Sequence, residues 1–151
     1  PPPHKTVRRQ RQMCIRDSTI YVCQQAARRM MERKSGRIIT ISSIAAFRGN
    51  ANSAIYSTAK AAVVEYTRCL AKQLRPFDIA VNSLAPGDTR TGRFLGTREV
   101  DQGRMVEEGT LERIALVDEV ARVVEFFAGP MGAFVTGQAL RVDGGDQCWP
   151  S

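Results

Sequence analysis

The most specific chemistry in the chain lies in the stretch IAAFRGNANSAIYSTAKAAV, where Tyr56 and Lys60 stand four positions apart. At that spacing on a helix, a phenol and an ammonium share one face, a turn from each other. A positive charge beside the ring favours the phenolate and makes Tyr56 a better proton donor to a substrate oxygen near neutral pH. Ser43 stands 13 residues before Tyr56, at the end of a short apolar run, where its hydroxyl can be presented to the same oxygen from the side. Each piece has a plainer reading. A Tyr/Lys pair at this spacing is ordinarily solvated helix surface, and a serine after a strand is ordinarily a helix or turn cap. The sole histidine is His4, at the far end of the chain, so no nucleophilic triad and no histidine base is available here.

The elements that must position these residues follow from periodicity. Residues 19–34, TIYVCQQAARRMMERK, carry Ile20, Cys23, Ala27, Met30 and Met31 at helical spacing and a basic end, which suits a helix C-terminus. RIITIS is short, apolar and β-branched, and reads as a buried strand. Ile55 to Leu74 returns to helical character and stops at Arg75-Pro76, because a residue before proline is pushed out of the helical region. IAVNSLA, residues 79–85, is a second buried strand, closed by Pro86-Gly87. Residues 88–111 have glycines, charges and little period, and are expected to form a mobile excursion with one short helix anchored by Phe94 and Leu95. Asp118 is placed to cap a helix running to Phe127, which Gly129 and Pro130 stop. Gln138 to Val142 is a third strand, ending in Asp143-Gly144-Gly145, whose glycines suit a tight structural turn. Helix and strand in alternation predict an α/β fold with a parallel sheet.

Four motifs in one order, GRIITISS, YSTAK, VNSLAPGDTRT and TGQALRVDGG, resemble the short-chain dehydrogenase/reductase family from about Thr19 to Gly145. The resemblance implies the C-terminal half of a doubly wound Rossmann-type sheet that binds NAD or NADP. It gives Tyr56 the role of proton donor and acceptor, Lys60 that of holding the cofactor ribose and favouring the phenolate, and Ser43 that of orienting and polarising the carbonyl. In relatives the turn corresponding to Pro86-Gly87-Asp88-Thr89-Arg90-Thr91 lies against the nicotinamide carboxamide, a role that falls to Thr91, with Thr89 second to it. The segment 92–111 would close over substrate, with Phe94 and Leu95 on its inner side or simply packing in a short helix. The implied reaction interconverts a secondary alcohol and a ketone, resembling that of 3-oxoacyl reductases or of sugar and cyclic alcohol dehydrogenases. No metal is implied, and the parent protein is expected to be a homodimer or homotetramer.

The family's glycine-rich turn, its residue selecting NAD or NADP and its catalytic asparagine have no counterpart in the sequence. Residues 1–18 are dense in arginine instead. Five of the 22 basic residues and one of the 15 acidic ones lie there, so the rest of the chain carries only +3 of the +7. Arg8 to Asp17 is what CGT CGG CAG CGT CAG ATG TGT ATA AGA GAC encodes, which resembles a transposase-end sequencing adapter. The expected organisation is therefore a non-native leader over 1–18 and a partial dinucleotide-binding domain over 19–151 that is inactive by itself. A solvated arm, a nucleic-acid-binding arm and a mitochondrial presequence are the biological readings of the same leader. Cys23, Cys69 and Cys148, without CxxC spacing or a secretory signal, suit reduced thiols in a cytoplasmic protein. Neither a nucleic-acid nor a membrane partner is expected. The alternative to an enzyme is a non-catalytic interaction protein built on part of the same fold, in which Ser43, Tyr56 and Lys60 are relics.

Overall fold

The computed structural model describes the backbone of residues 3–48, 52–97 and 99–147, and side chains within that set from residue 17 onward. The elements run helix α1 (Pro3–Arg33), strand β1 (Gly36–Ile41), α2 (Ala54–Leu74), β2 (Ile79–Pro86), α3 (Gly92–Thr97), α4 (Val117–Ala128) and β3 (Ala139–Val142). Short 3-10 turns lie at Ile44–Ala46, Arg75–Phe77, Gln102–Arg104 and Pro130–Gly132.

The strands form one parallel sheet in the order β1-β2-β3, with Gly36 opposite Ile79 and Ser83 opposite Ala139. Central β2 is buried from Ile79 to Ala85. A parallel strand covered on both faces has no solvent side, which is why it reads as an almost unbroken apolar run. Its polar residues are Asn82 and Ser83, and Asn82, 1% exposed, is bonded through both its nitrogen and its oxygen. The amide donates to Val135 O at 2.7 Å and its oxygen accepts from the Gln138 N–H at 3.1 Å, guiding the chain into β3.

Cys23 and Ala27 of α1, Leu70, Ala71 and Leu74 of α2, and Ile38, Ile79 and Val81 of the sheet form the core, with Met30, Met31, Tyr66 and Phe77 around it. The helical spacing of Cys23, Ala27, Met30 and Met31 thus faces the sheet. Helix α4 packs against β1 and β2 and buries Phe127. Burial pushes the Cys23 thiol up from its usual value; Cys69 is exposed, both thiols are free, and Cys148 lies outside the described residues.

Two boundaries differ by more than one residue from the sequence-based expectation. Helix α1 does not begin at Thr19 but runs back without a break to Pro3. Arg, Gln, Met and Lys are good helix formers, and a helix already anchored by a docked half propagates through such residues without an apolar period. At α4, the cap is Leu116 and the acid that serves it is Glu119, not Asp118. The Glu119 carboxylate accepts from the Leu116 N–H at 2.7 Å, the backward half of a capping box, while Asp118 sits inside the first turn, where its charge suits the helix dipole. Among the described residues no helix is long and apolar enough to cross a membrane.

Candidate active site

The site is built where β1 ends beneath the start of α2. The Lys60 ammonium donates to Ile41 O at 2.9 Å and lies 5.9 Å from the centroid of the Tyr56 ring. A cation that close to an aromatic face is attracted by the ring's negative quadrupole. Burial pulls the Lys60 ammonium below its usual value of 10.5. Of the pair that sequence spacing places on one helix face, Lys60 also meets the strand end.

Ser43 follows two residues after Ile41 in extended backbone and is half-buried. Its hydroxyl oxygen accepts from the Ala45 N–H at 3.2 Å, capping the turn Ile44–Ala46. Capping uses a lone pair and leaves the O–H as a donor, so the cap and the proposed carbonyl contact use different parts of one hydroxyl. Its neighbour Ser42, which spacing alone did not single out, is 3% exposed and donates to Lys60 O at 2.8 Å. The available signal was the alternation Ile38, Thr40, Ser42 along one face of β1, which turns from apolar to hydroxyl toward the strand's carboxyl end.

The neighbouring strand supplies the second group. Pro86 ends β2, and the Gly87 N–H donates to Val142 O at 2.9 Å. A Cβ at Gly87 would sit 3.0 Å from that of Asp143, so a larger residue would push the ends of β2 and β3 apart. Thr89 donates its hydroxyl to Gly87 O at 3.1 Å. Thr91 accepts from the Phe94 N–H at 3.2 Å at the start of α3, again leaving its O–H as a donor. On α3, Phe94 is half-buried and Leu95 exposed. Gly144 and Gly145 both take left-handed backbone, φ 65° and 86°, as expected of a tight turn.

A cleft of about 360 Å³ opens at the carboxyl ends of β2 and β3, between Ile44, Gly87, Asp88, Arg104, Arg113 and Asp143. It begins one residue past Ser43 and is not lined by Tyr56 or Lys60, so it does not contain that pair. Ser43, Tyr56 and Lys60 share the end of β1, and Pro86, Gly87, Thr89 and Thr91 follow the end of β2 beside it. Carboxyl ends of strands are where open α/β sheets bind ligands.

A family profile described as Enoyl-(Acyl carrier protein) reductase matches residues 10–146. The chain belongs to the short-chain dehydrogenase/reductase family. Among curated relatives of this dehydrogenase/reductase, the 3-oxoacyl-[acyl-carrier-protein] reductase of Aquifex aeolicus is 36% identical over 127 residues, covering 84% of the chain and 51% of the relative. The cyclohexanol dehydrogenase of a Rhodococcus species is 38% identical over 130 residues, covering 84% and 48%. A 7α-hydroxysteroid dehydrogenase solved with NADH and 7-oxoglycochenodeoxycholic acid superposes with a TM-score of 0.77 at 30% identity, covering 85% and 51%. A gluconate 5-dehydrogenase from Burkholderia cenocepacia, solved with NADP and tartrate, gives 0.75 at 31%, with the same coverage. The chain spans about half the length of the curated relatives it matches.

Proposed function

We propose that the full-length protein to which these residues belong is an NAD- or NADP-dependent oxidoreductase that interconverts a secondary alcohol and a ketone. The observation that carries this reading is the Lys60 ammonium held between the Tyr56 ring and Ile41 O, at the strand end that presents Ser43. The similar proteins support it, since their names speak of an acyl-carrier thioester, a cyclic alcohol, a steroid and a sugar acid. That variety is also why the reading stops at the alcohol and ketone and names no single substrate.

The chemistry of the donor set fits the nicotinamide end of the cofactor. Lys60 has three N–H donors, one of them on Ile41 O, and the Thr91 O–H lies at the end of the adjacent strand's loop. Bound NAD or NADP supplies the redox step. Tyr56 Oη gives its proton to the substrate oxygen on reduction and takes it back on oxidation. Lys60 Nζ keeps positive charge beside the ring and so favours the phenolate left behind. Ser43 Oγ donates to the same oxygen and fixes its direction, which holds the reacting carbon in line. These 151 residues on their own are expected not to turn over. The segment 92–111, with Phe94 and Leu95, covers the substrate, and the working protein is a homo-oligomer.

The test is steady-state turnover by the full-length protein, followed through nicotinamide absorbance with both cofactors across cyclic, acyclic and thioester ketones. Turnover that is lost in Lys60→Met supports the reading. Absence of turnover across the set, with no binding of either cofactor, overturns it in favour of a non-catalytic interaction protein.

A further inference from the structure

The seam between β1 and α2 changes character along its length. The side chains of Ile38, Thr40 and Ser42 fall on one face of the strand, and α2 runs antiparallel over them. At the amino end of β1 the contact is apolar, with Ile38 among Leu70, Ala71 and Leu74. In the middle, Thr40 and Thr67 meet hydroxyl to hydroxyl at 2.8 Å, 3% and 0% exposed. Thr67 gives its single proton to Val63 O at 2.8 Å, so Thr40 is the donor in this pair. At the carboxyl end, two hydrogen bonds cross between the same residues' neighbourhoods, from Ser42 Oγ to Lys60 O at 2.8 Å and from Lys60 Nζ to Ile41 O at 2.9 Å. Apolar contacts are non-directional and tolerate a small slide of helix on strand, whereas a short hydrogen bond between buried groups does not.

We propose that Ser42 is a positioning residue, whose buried hydroxyl, by holding the Lys60 carbonyl, fixes the register of α2 on β1 at which Tyr56 and Lys60 reach the oxygen held by Ser43. It touches neither substrate nor cofactor and acts through the Lys60 backbone. The position needs this explanation because a serine just past a strand ordinarily caps a turn or helix, whereas the Ser42 hydroxyl is buried and goes to the carbonyl of Lys60 inside α2. A hydroxyl there is best suited to specifying one arrangement, the role for which buried polar contacts are best attested. The Ser42 backbone is already fastened, its N–H donating to Leu84 O at 2.6 Å, so the side chain is free to serve the helix and not the sheet.

The proposal rests on the catalytic reading of Tyr56 and Lys60, and its test keeps the two apart. In the full-length protein, Ser42→Ala and the nearly isosteric, weakly donating Ser42→Cys are expected to lower kcat on the order of tenfold, with KM for ketone and cofactor within about twofold. Ser42→Thr, which keeps the hydroxyl, is expected to restore kcat to within about threefold of the parent. Should Ser42→Ala fail to fold, Ser42→Cys decides. A melting temperature that falls while kcat stays at the parent value, or equal losses in the Ala, Cys and Thr variants, makes Ser42 merely structural and overturns the proposal. Tyr56→Phe runs beside them: if it silences the enzyme while the Ser42 variants are neutral, only the positioning role falls, and if it leaves turnover intact both fall.

Discussion

The β1–α2 unit and the connection from β2 to α4, residues 88–116, border the same site and are held by different means. The first is fixed by burial and by uncharged hydroxyl bonds, Thr40 to Thr67 and Ser42 to Lys60 O. The second is tied by arginines, within itself and to α4. Arg90 reaches Val106 O at 3.1 Å and Glu107 at 3.5 Å, Arg104 lies 3.9 Å from Asp88 and donates to Glu112 O at 2.8 Å, and Arg113 grips Glu119 with two nitrogens. Arg104 and Glu107 lie at the surface, Glu107 being 76% exposed, where an ion pair contributes about 1 kcal/mol or less. The difference suits the work proposed for each region. Proton transfer demands groups fixed to within a fraction of an ångström, while a segment that covers a substrate must open, and such segments come from the low-stability end of a structure.

The contrast breaks most plainly under truncation. Leu70→Ala, in the core beneath α2, is expected to cost about 2–5 kcal/mol of unfolding free energy in urea, whereas Leu95→Ala on exposed α3 stays within about 0.5 kcal/mol. Comparable losses in the two would mean that α3 is as firmly packed as α2. Thr67→Val comes next, with an expected cost of about 1–3 kcal/mol, because it strips the buried Thr40 hydroxyl of its 2.8 Å acceptor. A neutral Thr67→Val would show that the hydroxyl pair adds nothing to the seam.

Acid sharpens the comparison from the other side. Hydrogen bonds from Arg113, then from the Leu116 N–H, hold the Glu119 carboxyl at about 2, below its usual 4.5. A depressed folded value means that the pair's contribution is complete above the usual value and is lost as pH falls through 4.5 toward 2. The stability difference between the parent and Glu119→Gln is therefore expected to shrink over that window, while the difference between the parent and Thr67→Val does not follow Glu119, since hydroxyls carry no charge there. The smallest effect is that of salt. Raising ionic strength is expected to speed amide exchange modestly within 88–116 and to leave α2 unchanged, and equal acceleration of both would erase the distinction.

How much of this could be read from the residues depends on the range of the forces involved. Helix α2 and strands β1 and β2 were legible because burial imposes a period or a solid apolar run, and Tyr56 with Lys60 because one helical turn fixes their relation whatever surrounds them. The extension of α1 to Pro3 was not, since a propagating helix needs no apolar signal once part of it is docked. Short acids favour the cap position, which points to Asp118, yet Glu119, one residue on, is held by Arg113 in the right place to reach back. Thr91 was assigned from family pattern alone, and its contact with the Phe94 N–H depends on where α3 starts, in a stretch with little period. Ser42 escaped notice because its partner is a backbone carbonyl 18 residues away, and no side-chain pattern marks a carbonyl.

The most direct measurement is kcat/KM of the full-length protein and of its Tyr56→Phe variant on the best ketone found, with NADH or NADPH saturating and folding verified by thermal unfolding. Loss of a positioned proton donor lowers the rate by about 10²–10⁴-fold, and a fall of that size in a variant that melts like the parent is the expected result. A Tyr56→Phe protein that turns over within a few-fold of the parent contradicts the assignment of Tyr56, and with it the roles given to Lys60 and Ser43.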